Sequence, residues 1–186
     1  MSKIILFRGK SGTGKTTLSN ELAKRLKLPV LHKDDIYDSV ADLVSEHGLR
    51  NKICFDFLYR FLLQNVIDSN ASVILDFGLN NMDDLRKLKN WIEEKGGELY
   101  TLHCTCSNES IGSERLAERN VNPLPNQLIT NLSKLKEHYK NTNNEYFEGE
   151  LILDRPYYPL NSASAAICLV TSHTFPLVGA LWLDAV

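Results

Sequence analysis

The chain of 186 residues has 43% hydrophobic and 24% charged side chains and a formal net charge of -2, which fits one soluble domain with a sizeable core. That balance gives no overall basic field of the kind that marks a nucleic-acid partner, although it says nothing of a local groove. Cys54, Cys104, Cys106 and Cys168 are too few and too unevenly spaced for a disulfide scaffold and suit a reducing compartment.

In chain order, 3–8 (KIILFR) is a continuous apolar run ahead of a glycine, as a strand buried on both faces requires. It is too short for the core of a signal peptide, so a cytoplasmic location is expected. The segment 15–27 reads as a helix, with Leu18, Leu22, Ala23 and Leu26 at helical spacing, and Pro29 ends it. A short strand over 29–32 precedes a helix over 34–46, where Ile36, Val40, Leu43 and Val44 form one stripe and Gly48 is the stop signal. A longer apolar helix is expected over 52–68, with Phe55, Phe57, Tyr59 and Phe61 spread around it as core packing.

The clearest later strand is 71–77 (ASVILDF). An amphipathic helix over 82–95 runs into Gly96-Gly97, a C-terminal signal. A strand over 98–104 follows. It places Cys104 and Cys106 on one face and His103 on the other, so buried thiols are expected there rather than a metal site. A charged helix over 108–120, a proline-broken loop over 121–125, a helix over 126–140 and a last strand over 150–154 complete the pattern. Strands alternating with helices argue for a parallel sheet covered on both faces.

From 162 to 186 the only charged residue is Asp184. A packed terminal element, an exchangeable segment of an oligomer and a tail foreign to the natural protein all fit this stretch. A membrane span fits worst, because a span needs about 20 predominantly apolar residues and Thr171 to Pro176 interrupts this one. No function is assigned to it.

The octapeptide Gly9-Lys10-Ser11-Gly12-Thr13-Gly14-Lys15-Thr16 matches G-x-x-x-x-G-K-[ST] at every fixed position, between an apolar strand and a helix. Gly9, Gly12 and Gly14 permit backbone angles that turn amides into one concavity around phosphate oxygens, with Ser11 and Thr13 between them. The helix N-terminus adds its partial positive charge. Lys15 is placed to reach the β- and γ-phosphates, the Thr16 hydroxyl to ligate Mg²⁺, and Thr17 to touch the α-phosphate. A glycine-rich turn that matches by chance is the alternative, and the flanking strand and helix argue against it. The expected ligand is Mg-ATP.

The short strand-loop-helix opening, the acidic pair Asp34-Asp35 after the second strand, and Arg115 with Arg119 late in the chain resemble the P-loop kinases. The resemblance covers about 3–160 and is nearest to the group that holds phage polynucleotide kinase, chloramphenicol phosphotransferase and zeta toxins. It implies a three-layer α/β/α fold with a five-stranded parallel sheet in order 2-3-1-4-5 and a small helical lid. The expected division is a kinase-like domain over 1–161, with the lid at about 108–126, and the apolar segment 162–186 outside it. Other P-loop classes fit poorly: Asp76-Phe77-Gly78-Leu79 lacks the final glycine of the GTPase D-x-x-G, and neither N-K-x-D nor L-S-G-G-Q occurs. Ring-forming ATPases usually need more chain and an Asp-Glu pair after the third strand.

In the resembled group the first aspartate after strand two orients the acceptor hydroxyl and takes its proton; by position this is Asp34. A helix cap is the competing reading, and it is preferred for Asp35. Tyr37 stands where polynucleotide kinase has an arginine, which disfavours a 5′-nucleic-acid acceptor. Asp76 ends its strand as the second acidic motif does, to hold Mg²⁺ or to cap the next turn. Gly78, Asn80 and Asn81 follow in a loop that contacts the acceptor or simply turns. Arg115 and Arg119, four apart on one helix face, either close over the transferring phosphoryl as lid residues or belong to an exposed, salt-bridged helix. The expected activity is transfer of the γ-phosphoryl of ATP, with Lys15, Asp34, Arg119 and Arg115 as catalytic residues, to the hydroxyl of a small molecule. A nucleic-acid 5′ end is the runner-up, and a nucleotide switch or ATPase without an acceptor is the reading from another class.

Overall fold

The computed structural model describes residues 1–106, 124–127, 129, 132–141 and 145–154. The core strand β1 (Lys3–Arg8) is buried on both faces, and its side chains alternate between two apolar layers. Ile4 and Leu6 join one layer with Leu58, Leu62, Val73, Leu75, Phe77, Leu85, Leu88 and Ile92. Ile5 and Phe7 join the other with Leu18, Leu22, Ile74, Leu102 and Cys104. Each fully buried Leu, Ile or Phe contributes roughly 1.5–3 kcal/mol against exposure, so the period-2 split of β1 fixes the three-layer arrangement.

The other strands are β2 (Val30–His32), β3 (Val73–Asp76), β4 (Glu98–Thr105) and β5 (Leu151–Asp154). All pair in parallel in the order β2-β3-β1-β4-β5, the order the resemblance implies. Because β2 and β4 lie on opposite sides of the β3–β1 pair, a crevice opens at the C-terminal ends of β1 and β3, where ligands of such sheets bind. Helix α1 (Lys15–Leu26) covers one face through Leu18 and Leu22 and ends on Lys27 in a left-handed conformation (φ 53°) before Pro29.

Two helix boundaries differ from expectation. Helix α2 spans Lys33–Ser39 and not 34–46, and α3 spans His47–Phe61, so Gly48 lies in a first turn and stops nothing. The reason is Arg50, whose guanidinium donates to the carbonyls of Ala41 (3.1 Å), Val44 and Ser45 (3.5 Å). It satisfies the groups that a continued helix would have bonded internally, and Leu43 is left 83% exposed. Past Phe61 the helix widens into a π-helical stretch, Leu62–Ile67, in which Asp68 N bonds Leu63 O at 3.0 Å. Turns of more than four residues keep Leu58, Leu62 and Val66 on the sheet side together. Phe55 packs on Phe77 and Tyr59 meets Trp91 edge-on, while Phe57 is exposed and stacks on Phe61.

Helix α4 (Met82–Glu94) is capped by the Asn81 side chain, which accepts from the amides of Asp83 (2.9 Å) and Asp84 (3.1 Å). Asn81 is thus spent on the helix. The chain leaves α4 through Gly96 (φ 81°). Helix α5 is Leu132–Asn141 and not 126–140; the backbone and side-chain amides of Asn126 donate instead to the Asp38 carboxylate. No helix among the described residues is long and apolar enough to cross a membrane. Arg115, Arg119, most of 108–126 and all of 162–186 lie outside the described residues.

The end of β1 carries a buried charge. Arg8 donates from Nε to Glu150 Oε2 (2.7 Å) and from Nη2 to Glu150 Oε1 (2.9 Å) and Glu145 O (2.7 Å), with both side chains 1% exposed. His103 Nδ1 lies 3.3 Å from Glu150 Oε1, and the Phe147 amide donates to the same oxygen at 2.9 Å. Burial pushes the Glu150 pKa up, but the bonds from His103, Arg8 and Phe147 outweigh it and hold it at about 2. A carboxylate with a depressed folded pKa stabilises above its unfolded pKa, and that stability is lost as pH falls through the folded value. E150Q is therefore expected to lower unfolding free energy at pH 7 on the order of 3 kcal/mol. In urea titrations the gap between variant and wild type should close between pH 4.5 and about 2; a gap independent of pH would contradict this.

Gly9 sits at φ 131°, and a Cβ placed there would come within 2.2 Å of the Cys104 carbonyl oxygen on β4. Backbone cannot yield as a side-chain tip can. G9A is expected to destabilise by about 2 kcal/mol or more and to lower the melting temperature in a thermal scan; an unchanged melting temperature would show that the approach of loop and strand is loose.

Candidate functional site

The loop between β1 and α1 turns on Gly12 (φ 80°) and Gly14 (φ 86°), both in the left-handed region, and Gly14 forms the N-cap of α1. The Thr13 hydroxyl and the Lys15 ammonium each donate to Lys10 O at 2.9 Å, so the lysine head lies across the loop concavity. The Thr16 and Thr17 side chains are exposed on the first turn of α1. Gly9, whose Cβ position is filled by β4, fits the close backbone packing that a phosphate cradle needs. The nucleotide cradle expected over 9–16 is thus present as geometry.

At the end of β3, Asp76 Oδ2 accepts from the Thr16 hydroxyl (2.6 Å) and from His32 Nδ1 (3.1 Å). His32 ends β2, and its Nε2 lies 3.2 Å from Asn20 Oδ1 on α1. Burial raises the Asp76 pKa, but hydrogen bonds from His32 and Thr16 and the charge of Lys15 bring it below the ordinary carboxylate value. The hydrogen bond to Asp76 raises the His32 pKa against burial. A hydroxyl and an ionised carboxylate in contact make a hard-oxygen donor pair. Mg²⁺ takes such a pair, filling its remaining positions with water and substrate phosphates. The residues present fit that metal.

Asp34 occupies the first turn of α2 and is exposed. The N-cap of α2 is His32, with no side-chain cap bond, so neither Asp34 nor Asp35 caps the helix, and the capping reading of both is corrected. Protein packed around its carboxyl raises the Asp34 pKa, and the Asp76 carboxylate adds to this, while Lys15 and Lys33 oppose it. Lys15, Asp34, Thr16 and Asp76 are thereby gathered at one sheet edge. Tyr37 is buried, with its hydroxyl 2.6 Å from His47 Nδ1 and the Arg50 guanidinium over its ring. Gly78 is exposed in the β3–α4 loop.

Sequence reasoning missed His32 and Asn20, which complete the ring of bonds around Asp76. A histidine ending a strand just before an Asp-Asp pair was the available signal. It also missed Lys33, whose ammonium lies 5.5 Å from the centre of the Phe55 ring, and the Arg8–Glu150 pair, whose partners are 142 positions apart.

Comparisons with known proteins agree with this fold. A candidate kinase from Chloroflexus aurantiacus superposes with a TM-score of 0.75 at 19% identity, covering 92% of this chain and 98% of that one. A gluconokinase from Sinorhizobium meliloti gives 0.60 at 15%, covering 99% and 98%. Kti12 from Chaetomium thermophilum, solved with ADP-AlF3, gives 0.67 at 14%, covering 92% and 98%. These likenesses show the three-layer P-loop α/β fold. No curated protein sequence matches the chain. The AAA domain family model matches residues 4–137, which span the cradle, Asp34 and Asp76, and the chain belongs to that family.

Proposed function

We propose that the protein is a phosphotransferase that moves the γ-phosphoryl group of ATP to a hydroxyl of a small molecule, in the cytoplasm. The observation that carries this reading is the placement of Asp34. The residue is exposed while protein packed around its carboxyl raises its pKa, and it lies within the electrostatic reach of both Lys15 and Asp76. A carboxylate poised upward beside a phosphate-binding lysine suits a group that accepts a proton from an attacking hydroxyl. The gluconokinase among the structural likenesses supports an acceptor of metabolite size.

In this reading the amides of Gly9 to Thr16 hold the triphosphate, and Lys15 swings from the Lys10 carbonyl to the β- and γ-phosphates. Thr17, next on the first turn, faces the α-phosphate. Thr16 and Asp76 would hold Mg²⁺, which would supply charge neutralisation for the phosphoryl group. His32 keeps the shared Asp76 oxygen pointed at Thr16. Asp34 orients the acceptor hydroxyl and takes its proton as the bond to phosphorus forms. Arg119 and Arg115, outside the described residues, close over the transferring group from a lid over 108–126. The kinase-like domain of this reading is the segment 1–161, and no function is assigned to 162–186. A polynucleotide acceptor is disfavoured by Tyr37, whose hydroxyl is engaged with His47.

The test is an acceptor screen with γ-labelled ATP over sugars, sugar acids, nucleosides, aminoglycosides, chloramphenicol and 5′-hydroxyl oligonucleotides. Label is expected in a small molecule; label only in oligonucleotides would overturn the acceptor assignment. D34N is expected to lower kcat for transfer by about 10²- to 10⁴-fold, with ATP affinity kept within about threefold by calorimetry. Undiminished ATP turnover in D34N, with no phosphorylated product, would replace the kinase with an ATPase or switch. D76N is expected to raise the Mg²⁺ concentration needed for half-maximal rate, read by metal titration at saturating ATP; an unchanged requirement would remove Asp76 from the metal site.

A further inference from the structure

The α2 start holds a cation that the proposed chemistry does not use. Lys33 is half-buried, and burial lowers its pKa. Its ammonium has no carboxylate within salt-bridge distance and no hydrogen bond among the described residues; its neighbour is the Phe55 ring at 5.5 Å. The backbone beneath it is fixed, with the Cys54 thiol 3.8 Å from Lys33 O. Phe55 packs in turn on Phe77, which follows Asp76. Lys33, Phe55 and Phe77 therefore form a continuous row from the C-terminal end of β3 to the start of α2, next to Asp34.

A lysine that lies along an apolar wall with its head in open water is ordinary snorkelling. Lys33 differs in two respects. Its charge is partly desolvated, which costs free energy unless an anion offsets it. It is also near enough to the proposed base for each to feel the other's charge. The carboxylates facing the crevice are Asp34, Asp35, Asp38 and Asp76, and each is placed elsewhere. Asp76 is bound by Thr16 and His32, Asp38 by Asn126, and Asp34 and Asp35 lie on the first turn of α2 without an ion pair to Lys33. Lys15 already serves the nucleotide side. Lys33 is thus a second cation acting on Asp34 that the nucleotide cradle does not engage.

We infer that Lys33 is the acceptor's anchor, and that the acceptor is a hydroxylated small molecule carrying an anionic group, a carboxylate or a phosphate, which pairs with the Lys33 ammonium while its hydroxyl meets Asp34. This rests on the phosphotransferase reading above and specifies its substrate class. An ammonium beside an aromatic face keeps N–H donors that the ring does not use, so an oxyanion beside it gains charge-assisted hydrogen bonds in a half-dry site. The same pairing explains how an acidic protein with four carboxylates around the crevice admits an acid: one lysine faces each end of the bound pair.

The test uses three matched acceptor pairs with the full chain and Mg-ATP: D-gluconate against D-glucitol, shikimate against its methyl ester, and thymidine monophosphate against thymidine. Transfer of label and acceptor KM are measured for wild type and for K33M, which keeps the stem packed on Phe55. The expected result is that at least one acid is preferred over its neutral partner by about 10- to 100-fold, mainly through KM, and that K33M reduces that preference to near unity. The first two pairs report a carboxylate and the third a phosphate. Neutral partners used as well as acids, or an acid preference that K33M leaves intact, would overturn this inference while leaving phosphotransfer standing. ATP binding without label in any of the six would overturn phosphotransfer to small acceptors and this inference with it.

Discussion

One carboxylate oxygen organises the upper edge of the sheet. Asp76 Oδ2 accepts from Thr16 at the start of α1 and from His32 at the end of β2, and His32 reaches back to Asn20 on α1. Three separate elements therefore meet at one acceptor, and the cradle loop cannot shift relative to β3 without breaking a bond. Asp76 sits largely away from water, where an unsatisfied carboxylate is costly and a doubly bonded one rigid. The cradle's own backbone carries strain at Gly12 and Gly14 that only glycine tolerates, and such a loop needs a stiff support. Helix α1 supplies one side of it and the β3 terminus the other.

The opposite side of β1 is braced by a different kind of interaction. Arg8, the residue before the cradle, is among the most buried in the chain and is held by Glu150, with the Glu145 carbonyl and His103 around it. A buried ion pair adds little net stability compared with a well-packed apolar pair. Its effect is on register: Arg8 fits only if 145–150 returns to this edge, so β5 is fixed alongside β4 and the outer layer closes. Gly9 then passes directly over the Cys104 carbonyl. Charge on one side of the peptide chain and steric contact on the next residue together set where the cradle begins.

How much of this was legible in the sequence depends on the range of the interaction. The cradle, β1, α1 and β3 were readable because their signals are local: periodicity, glycines at fixed offsets, a proline after a helix. The sheet order followed from resemblance and not from any pattern of residues. The boundary of α2 was misread because Arg50, several residues beyond it, captures carbonyls that the stripe of Ile36, Val40, Leu43 and Val44 appeared to keep inside a helix. Gly48 was read as a stop because glycine is costly inside helices, yet in a first turn that cost is small. The ring around Asp76 was half legible: Asp76 was marked by its strand end, whereas His32 acquires meaning only when β2 is laid beside β3. Arg8 read as the polar end of a strand, and nothing near it in sequence announced Glu150.

The two aspartates at the crevice show why position in the fold matters more than residue type. Asp76 and Asp34 act on one another, yet their pKa values are driven apart, Asp76 downward by two hydrogen bonds and Lys15, Asp34 upward by its surroundings and by Asp76 itself. Separation of that kind lets like groups take different tasks, and in the function proposed above the lower one would face the cation and the higher one the acceptor proton. The charges of Lys15 and Lys33 oppose the rise at Asp34. Binding of a metal at Asp76 would remove the negative neighbour that raises Asp34, and arrival of an acid at Lys33 would remove the cation that lowers it. The two effects have opposite sign, so the charge state of Asp34 is coupled to the occupancy of both neighbouring sites.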